Sequence, residues 1–290
     1  MSFEQTLLLG AIAGATILLG LPVGRLRRTS PTLSVFLNSA AIGVLLFLFW
    51  DVLGAAWEPI DVALSGYHET GDGLSTALGY GVLFAVGLSV GLLSLVGYER
   101  WMTRVSAGAK TPKFGPGAMS VDELQSRGVL SWSAGRRLAL LIAVGIGLHN
   151  FAEGLAIGQS SASGEVALAT VLVIGFGLHN ATEGFGIVAP LVGDVDDNGQ
   201  RHIPSWGFLL ALGVIAGGPT FFGTALGYSY TSEPLAVAFL TLAAGSILYV
   251  VITLIGVALK SPRRDVMAYG LLIGLFAGFA TDAVLVAAGA

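Results

Sequence analysis

Eight stretches of roughly 20 or more mostly apolar residues, the length a helix needs to cross a bilayer's hydrocarbon core, leave this chain few ways to fold. They run near 5–24, 33–55, 76–98, 138–159, 166–191, 204–229, 234–260 and 266–288. In hydrocarbon every backbone polar group must be paired within the protein, so single runs of this length form helices. Only 11% of residues are charged, against about 25% in soluble domains. The expected fold is an all-α integral membrane protein with eight transmembrane helices. Its 42 glycines suit close helix packing, because small residues let backbones approach where water supplies no drive. Cysteine is absent, which excludes disulfides, thiolate metal sites and thiol nucleophiles.

The charges fix the order of crossings. Basic residues collect in cytoplasmic loops. Here Arg25, Arg27 and Arg28 follow the first span; Arg100, Arg104, Lys110, Lys113, Arg127, Arg136 and Arg137 follow the third; Arg201 follows the fifth; and Lys260, Arg263 and Arg264 follow the seventh. These are all 14 Lys and Arg of the chain. The intervening connections carry Glu4, Glu58, Asp61, Glu69, Asp72, Glu165 and Glu233 with no basic residue. Eight crossings of the cell membrane with both termini outside satisfy this pattern without exception. The first span has no basic segment before it and reads as a retained helix rather than a cleaved signal. Residues 1–98 then hold helices one to three, 99–137 a cytoplasmic loop, 138–191 helices four and five, and 192–290 helices six to eight, in one transmembrane domain. Within the loop, Ser120 to Glu123 reads as a capping box opening a short helix. Asp194 to Gly199 imitates the first half of a calcium loop, but Ser205 stands where the closing Glu belongs, so a solvated acidic loop is expected. The net charge of −4 and the lack of a basic stripe give no sign of a nucleic-acid partner.

Two of the apolar spans carry the same polar insertion. Gly145-Ile146-Gly147-Leu148-His149-Asn150-Phe151-Ala152-Glu153-Gly154 returns thirty residues later as Gly175-Phe176-Gly177-Leu178-His179-Asn180-Ala181-Thr182-Glu183-Gly184. Residues four apart share a helix face, so His149 points with Glu153, and His179 with Glu183. The short link from Gln159 to Glu165 makes the two helices antiparallel. Their motifs, each near mid-span, can then face one another about a local two-fold axis in the membrane plane, the inverted-repeat arrangement that puts midplane sites in transporters.

A lone pair of this kind could simply hydrogen-bond within the bundle. Two such pairs at mid-depth carry an insertion cost of about 2.5–3.5 kcal/mol per uncompensated carboxylate, and a bound cation removes it. Two imidazoles and two carboxylates form a nitrogen and oxygen donor set suited to zinc and open also to Fe, Mn, Co, Ni or Cd. Asn150 and Asn180, one position further round, could lend amide oxygens to a second ion. Asp51, near the outer end of the second span, and Asp282, some way below that of the eighth, read either as interfacial carboxylates or together as an entrance that attracts cations. No catalytic cofactor is indicated; the divalent metal, zinc foremost, would be transported or bound. An intramembrane di-metal enzyme is the rival reading, but di-metal bundles use Glu-x-x-His and zinc proteases His-Glu-x-x-His, whereas this chain has His-Asn-x-x-Glu. A metal-stabilised protein without flux is a third reading, and homodimerisation stays open.

The paired motifs resemble those of the ZIP (Zrt/Irt-like) family of divalent metal transporters, in its GufA-like prokaryotic branch. His149-Asn150-Phe151-Ala152-Glu153-Gly154 is similar to the family's fourth-helix His-Asn-x-Pro-Glu-Gly signature, and His179-Asn180-Ala181-Thr182-Glu183-Gly184 to its fifth-helix counterpart. The eight spans, the outer termini and the long loop after helix three are similar as well. The resemblance implies a binuclear centre midway along the permeation path, between helices four and five. His149, Glu153, His179 and Glu183 would be its ligands, Asn150 and Asn180 would serve the second metal, and metal would move toward the cytoplasm. Three departures stand out. Ala152 and Thr182 replace the usual proline, Gly218 precedes Pro219 where many members have Glu, and the loop lacks the histidines of many eukaryotic members.

Overall fold

The computed structural model describes residues 1–26, 30–108, 132–164, 166–192, 194, 203–230 and 232–287. Among these residues it is a bundle of eight α-helices: α1 Phe3–Ala15, α2 Pro31–Thr70, α3 Leu74–Gly108, α4 Ala134–Ala162, α5 Val166–Val188, α6 Trp206–Ser229, α7 Glu233–Ala258 and α8 Arg264–Ala287. Serine caps five of the starts. Ser2, Ser30, Ser133, Ser205 and Ser232 each accept a bond from a backbone N–H of the first turn, which satisfies a donor that the helix itself leaves open. Ser205, the misfit of the calcium-like loop, therefore has a helix-capping job. Residues 195–199 of that loop and the 120–123 capping box lie outside the described residues.

Among the described residues seven helices are long and apolar enough to cross a membrane. Packing directions show that α5 crosses too. A methyl group built on Gly147 would lie 2.5 Å from the Ile215 carbonyl, one on Gly154 2.2 Å from that of Thr220, and one on Gly158 2.4 Å from that of Thr224. Contacts that advance together along both helices mean that α4 and α6 run parallel, so α5 must carry the chain back between them. Gly270 against Phe36 and Gly278 against Phe47 make α2 and α8 parallel in the same way, and Gly87 against Ala238 with Gly91 against Leu242 do so for α3 and α7. Like-numbered parity running parallel is the signature of strict alternation across eight crossings. The most extensive packing joins α4 to α6, α2 to α8 and α3 to α7. Helices α1, α4, α5 and α6 make one half of the bundle, and α2, α3, α7 and α8 the other.

Four boundaries depart from the apolar runs. Helix α2 does not end near residue 55 but continues through Pro59 to Thr70, where Gly71 at φ 82° stops it. Hydropathy marks where a helix leaves the bilayer, whereas its end is set by a cap. Asp51 consequently stands at the middle of α2, not near its outer end. Helix α3 likewise runs past 98 to Gly108, and α4 starts at Ala134. Helix α1 gives way after Ala15 to two 3₁₀ turns, Thr16–Leu19 and Leu21–Arg25. The Thr16 hydroxyl donates to the Ala13 carbonyl at 2.6 Å, and Pro22 removes a backbone donor further on.

Candidate metal centre

Helix α4 brings His149 and Glu153 to one face, as i, i+4 spacing requires. His149 Nε2 stands 3.2 Å from Glu153 Oε1 and 3.9 Å from Glu183 Oε1 of α5. All three are buried, Glu183 completely. Asp51 of α2 lies within electrostatic reach of His149, Glu153 and Asp282. Of the two aspartates read as an entrance, Asp51 interacts with the cluster itself, and Asp282 of α8 interacts with Asp51. His179 occupies the corresponding helical position in α5, but its side chain lies outside the described residues.

The two asparagines are held alike. Asn150 Nδ2 donates to the Ala216 carbonyl of α6 at 3.0 Å, and Asn180 Nδ2 donates to the Ala13 carbonyl of α1 at 2.9 Å. Both side chains are fully buried, and their Oδ1 atoms have no hydrogen-bond partner among the described residues. The two receiving carbonyls differ in setting. Ala216 lies inside the continuous helix α6, next to the Ile215 carbonyl that Pro219 leaves without its helical donor, and Ala13 sits at the change from α to 3₁₀ geometry. The amide nitrogens are thereby committed to backbone carbonyls, and the oxygens are left for another donor or a cation. Glu153 Oε2 is likewise buried without a hydrogen-bond partner among the described residues.

The motif glycines allow this approach. A methyl on Gly154 would lie 2.2 Å from the Thr220 carbonyl, and one on Gly184 2.0 Å from the Ile17 carbonyl. Gly218 differs: a methyl there would meet only Val214 of its own helix, at 3.8 Å. It shares the outward stripe of Val214 and Phe222, exposed by 67% and 65%, one helical turn to either side. The α6 positions that face α4 and α1 are Ala216 and Thr220. The glycine before Pro219 thus leaves no gap in the cluster, which sequence comparison alone could not reveal.

Buried carboxylates around an imidazole form a donor set for a divalent metal. Ligands bound at 2.0–2.2 Å stand about 3–3.5 Å from one another. The 3.2 Å separation of His149 and Glu153 already fits, and Glu183 needs to close by a few tenths of an ångström. Consistent with that gap, no three His, Cys, Asp or Glu among the described residues form a finished cage.

An eight-crossing helical bundle with a dry His/carboxylate cluster between α4 and α5 defines a multi-pass membrane protein that handles a metal cation. The family model described as ZIP zinc transporter matches residues 118–285, more than half of the chain and all of the cluster except Asp51. The chain belongs to the ZIP family, a family of transporters and not of enzymes. None of the curated proteins compared with it matches.

Proposed function

We propose that this protein carries divalent transition-metal ions, zinc foremost and Cd, Fe or Mn as alternatives, across the cell membrane toward the cytoplasm. The observation that carries this reading is the buried contact of His149 with Glu153 and Glu183 in a ZIP-family bundle. In the proposed cycle a hydrated ion is drawn in past Asp51 and Asp282 and exchanges water for His149, Glu153, His179 and Glu183. A second ion, where present, takes Asn150 Oδ1 and Asn180 Oδ1 and shares the carboxylates. The asparagine anchors, one on α6 and one on the antiparallel α1, support a local inverted repeat relating α4 to α5. The face bearing Arg25, Arg100, Arg137, Arg263 and Arg264 is read as cytoplasmic, which puts both termini on the other side. Residues 138–191 act as the metal-bearing unit of one transmembrane domain.

Purified protein in liposomes should take up radioactive zinc or cadmium, and an inert preparation would remove the transporter reading. Protons compete with metal for the imidazole and carboxylates. Uptake should therefore fall as the pH on the entrance side drops below about 6.5, the ordinary histidine value, and recover with added metal. A rate independent of pH between 5 and 7.5 would contradict the proposed ligands. Asn150→Leu removes the side-chain bond to the Ala216 carbonyl, at a cost of about 0.5–1.5 kcal/mol, and removes the proposed metal oxygen. Isothermal titration should show weaker binding or fewer ions per protein; unchanged stoichiometry and affinity would exclude Asn150 from the shell.

A further inference from the structure

The two asparagines of the paired motifs take acceptors of different kinds, and the difference lies in α1. Ala216, the acceptor for Asn150, belongs to a continuous helix. Ala13, the acceptor for Asn180, lies in the last turn of α1, where the Thr16 backbone N–H bonds to the carbonyls of both Ile12 and Ala13 and the chain enters its 3₁₀ turns. The same Ala13 carbonyl accepts from the Thr16 hydroxyl at 2.6 Å and from the Asn180 amide at 2.9 Å. A threonine that bonds back to a carbonyl of the preceding turn bends its helix. Close packing holds the bend on both sides. Before it, a methyl on Gly14 would lie 2.2 Å from the Gly217 carbonyl of α6; beyond it, one on Gly20 would lie 2.2 Å from the Phe185 nitrogen of α5. Thr16 itself lies against α5 close to Asn180: a methyl on Gly177, one turn before the asparagine, would meet Thr16 Cγ2 at 3.4 Å.

We propose that Thr16 is a positioning residue of the metal centre: its hydroxyl holds the bend of α1 that presents the Ala13 carbonyl to Asn180, and so fixes the orientation in which Asn180 Oδ1 is left to a cation. The proposal rests on the reading above in which Asn180 Oδ1 serves the second ion. Asn180 is fully buried, and its Oδ1 has no hydrogen-bond partner among the described residues. A side-chain amide carries donors on one arm and an acceptor on the other. Flipped, Asn180 would set its oxygen against the Ala13 carbonyl oxygen, so that bond selects one of two orientations. In a regular α-helix each carbonyl lies along the axis and is taken by the N–H four residues on. The poorer bonds of a 3₁₀ turn leave the Ala13 carbonyl open to side-chain donors. A straightened α1 withdraws that acceptor and frees the amide to turn. Asn150 takes its acceptor from continuous α6, so loss of the Thr16 hydroxyl acts on one asparagine and spares the other.

Two substitutions separate the hydroxyl from the packing. Thr16→Val keeps the methyl that faces Gly177 and removes the hydroxyl; Thr16→Ser does the reverse. Zinc binding to each purified variant is measured by isothermal titration, beside Asn180→Leu, His149→Ala and the double variant Thr16→Val with Asn180→Leu. Thr16→Val should weaken the binding step that Asn180→Leu weakens by at least about tenfold, the low end for a group that supports a metal ligand. The step lost in His149→Ala should be unchanged. Thr16→Ser should bind as the wild type does, and the double variant no more weakly than Asn180→Leu, because residues acting through one contact are not additive. Wild-type affinity in Thr16→Val beside a weakened Asn180→Leu would overturn the role of Thr16. Additive losses in the double variant, or equal losses in Thr16→Ser and Thr16→Val, would do the same. Where Thr16→Val does not fold, Thr16→Ala carries the same comparison. Unchanged binding in Asn180→Leu would instead refute the reading of Asn180 as a donor, and the role of Thr16 with it.

Discussion

Replacing His149 by alanine is expected to lower the initial rate of metal uptake at least about a hundredfold, beyond the 10–100-fold typical of losing a supporting group behind a metal ligand. His149 Nε2 is the point at which α4 and α5 meet, 3.2 Å from Glu153 and 3.9 Å from Glu183. Without the imidazole, two buried carboxylates face each other across a cavity. The least costly response is for one to take up a proton, since like charges in a dry site cannot both ionise. Protonation removes a second ligand, so the single substitution disables more than one donor. His149→Gln keeps a neutral polar group of similar reach and should be nearly as inactive. Uptake of radioactive zinc per reconstituted protein, with equilibrium binding on the same sample, measures both effects. A His149→Ala protein retaining more than a tenth of wild-type uptake would place the path elsewhere.

The second large effect is structural. Gly154→Leu puts a branched side chain where even a methyl would lie 2.2 Å from the Thr220 carbonyl. Backbone cannot turn aside as a flexible side chain can, so α4 and α6 must separate along the most extensive contact in the molecule. Overpacking of this kind costs about 3 kcal/mol, or about a 10 °C fall in melting temperature for a chain of this size. Separation would also draw Asn150 from the Ala216 carbonyl, so transport should fall with stability. Gly218→Leu is the control: its side chain has open space on the outward face, and it should melt within about 2 °C of the wild type. Equal melting of the two variants in mild detergent would show that the close approach of α4 and α6 contributes little.

Much of the architecture was legible because the bilayer restricts what a sequence can do. Apolar length marks a span, and the alternation of basic and acidic connections counts the crossings. Both readings agree with the parallel pairs α2 and α8, α3 and α7, and α4 and α6. The His149 and Glu153 pairing was legible for a similar reason, since helical spacing alone puts them on one face. Helix ends were less so. Thr70 and Gly108 lie in polar stretches where hydropathy has nothing to say, and a cap or a change of backbone geometry decides. The break in α1 at Thr16 left only a faint sign in Pro22.

The sequence by itself determined a membrane bundle, its number of crossings and the two motifs that bear His, Asn and Glu at mid-depth. These follow from solvation and helical periodicity, which act locally along the chain. Only the tertiary structure decided what else surrounds the paired motifs. It puts Asp51 within electrostatic reach of the cluster, hands the Asn150 and Asn180 amides to the carbonyls of Ala216 and Ala13, and turns Gly218 outward. Such pairings depend on the direction and rotation of helices far apart in sequence, quantities that close backbone packing sets and that no single stretch encodes.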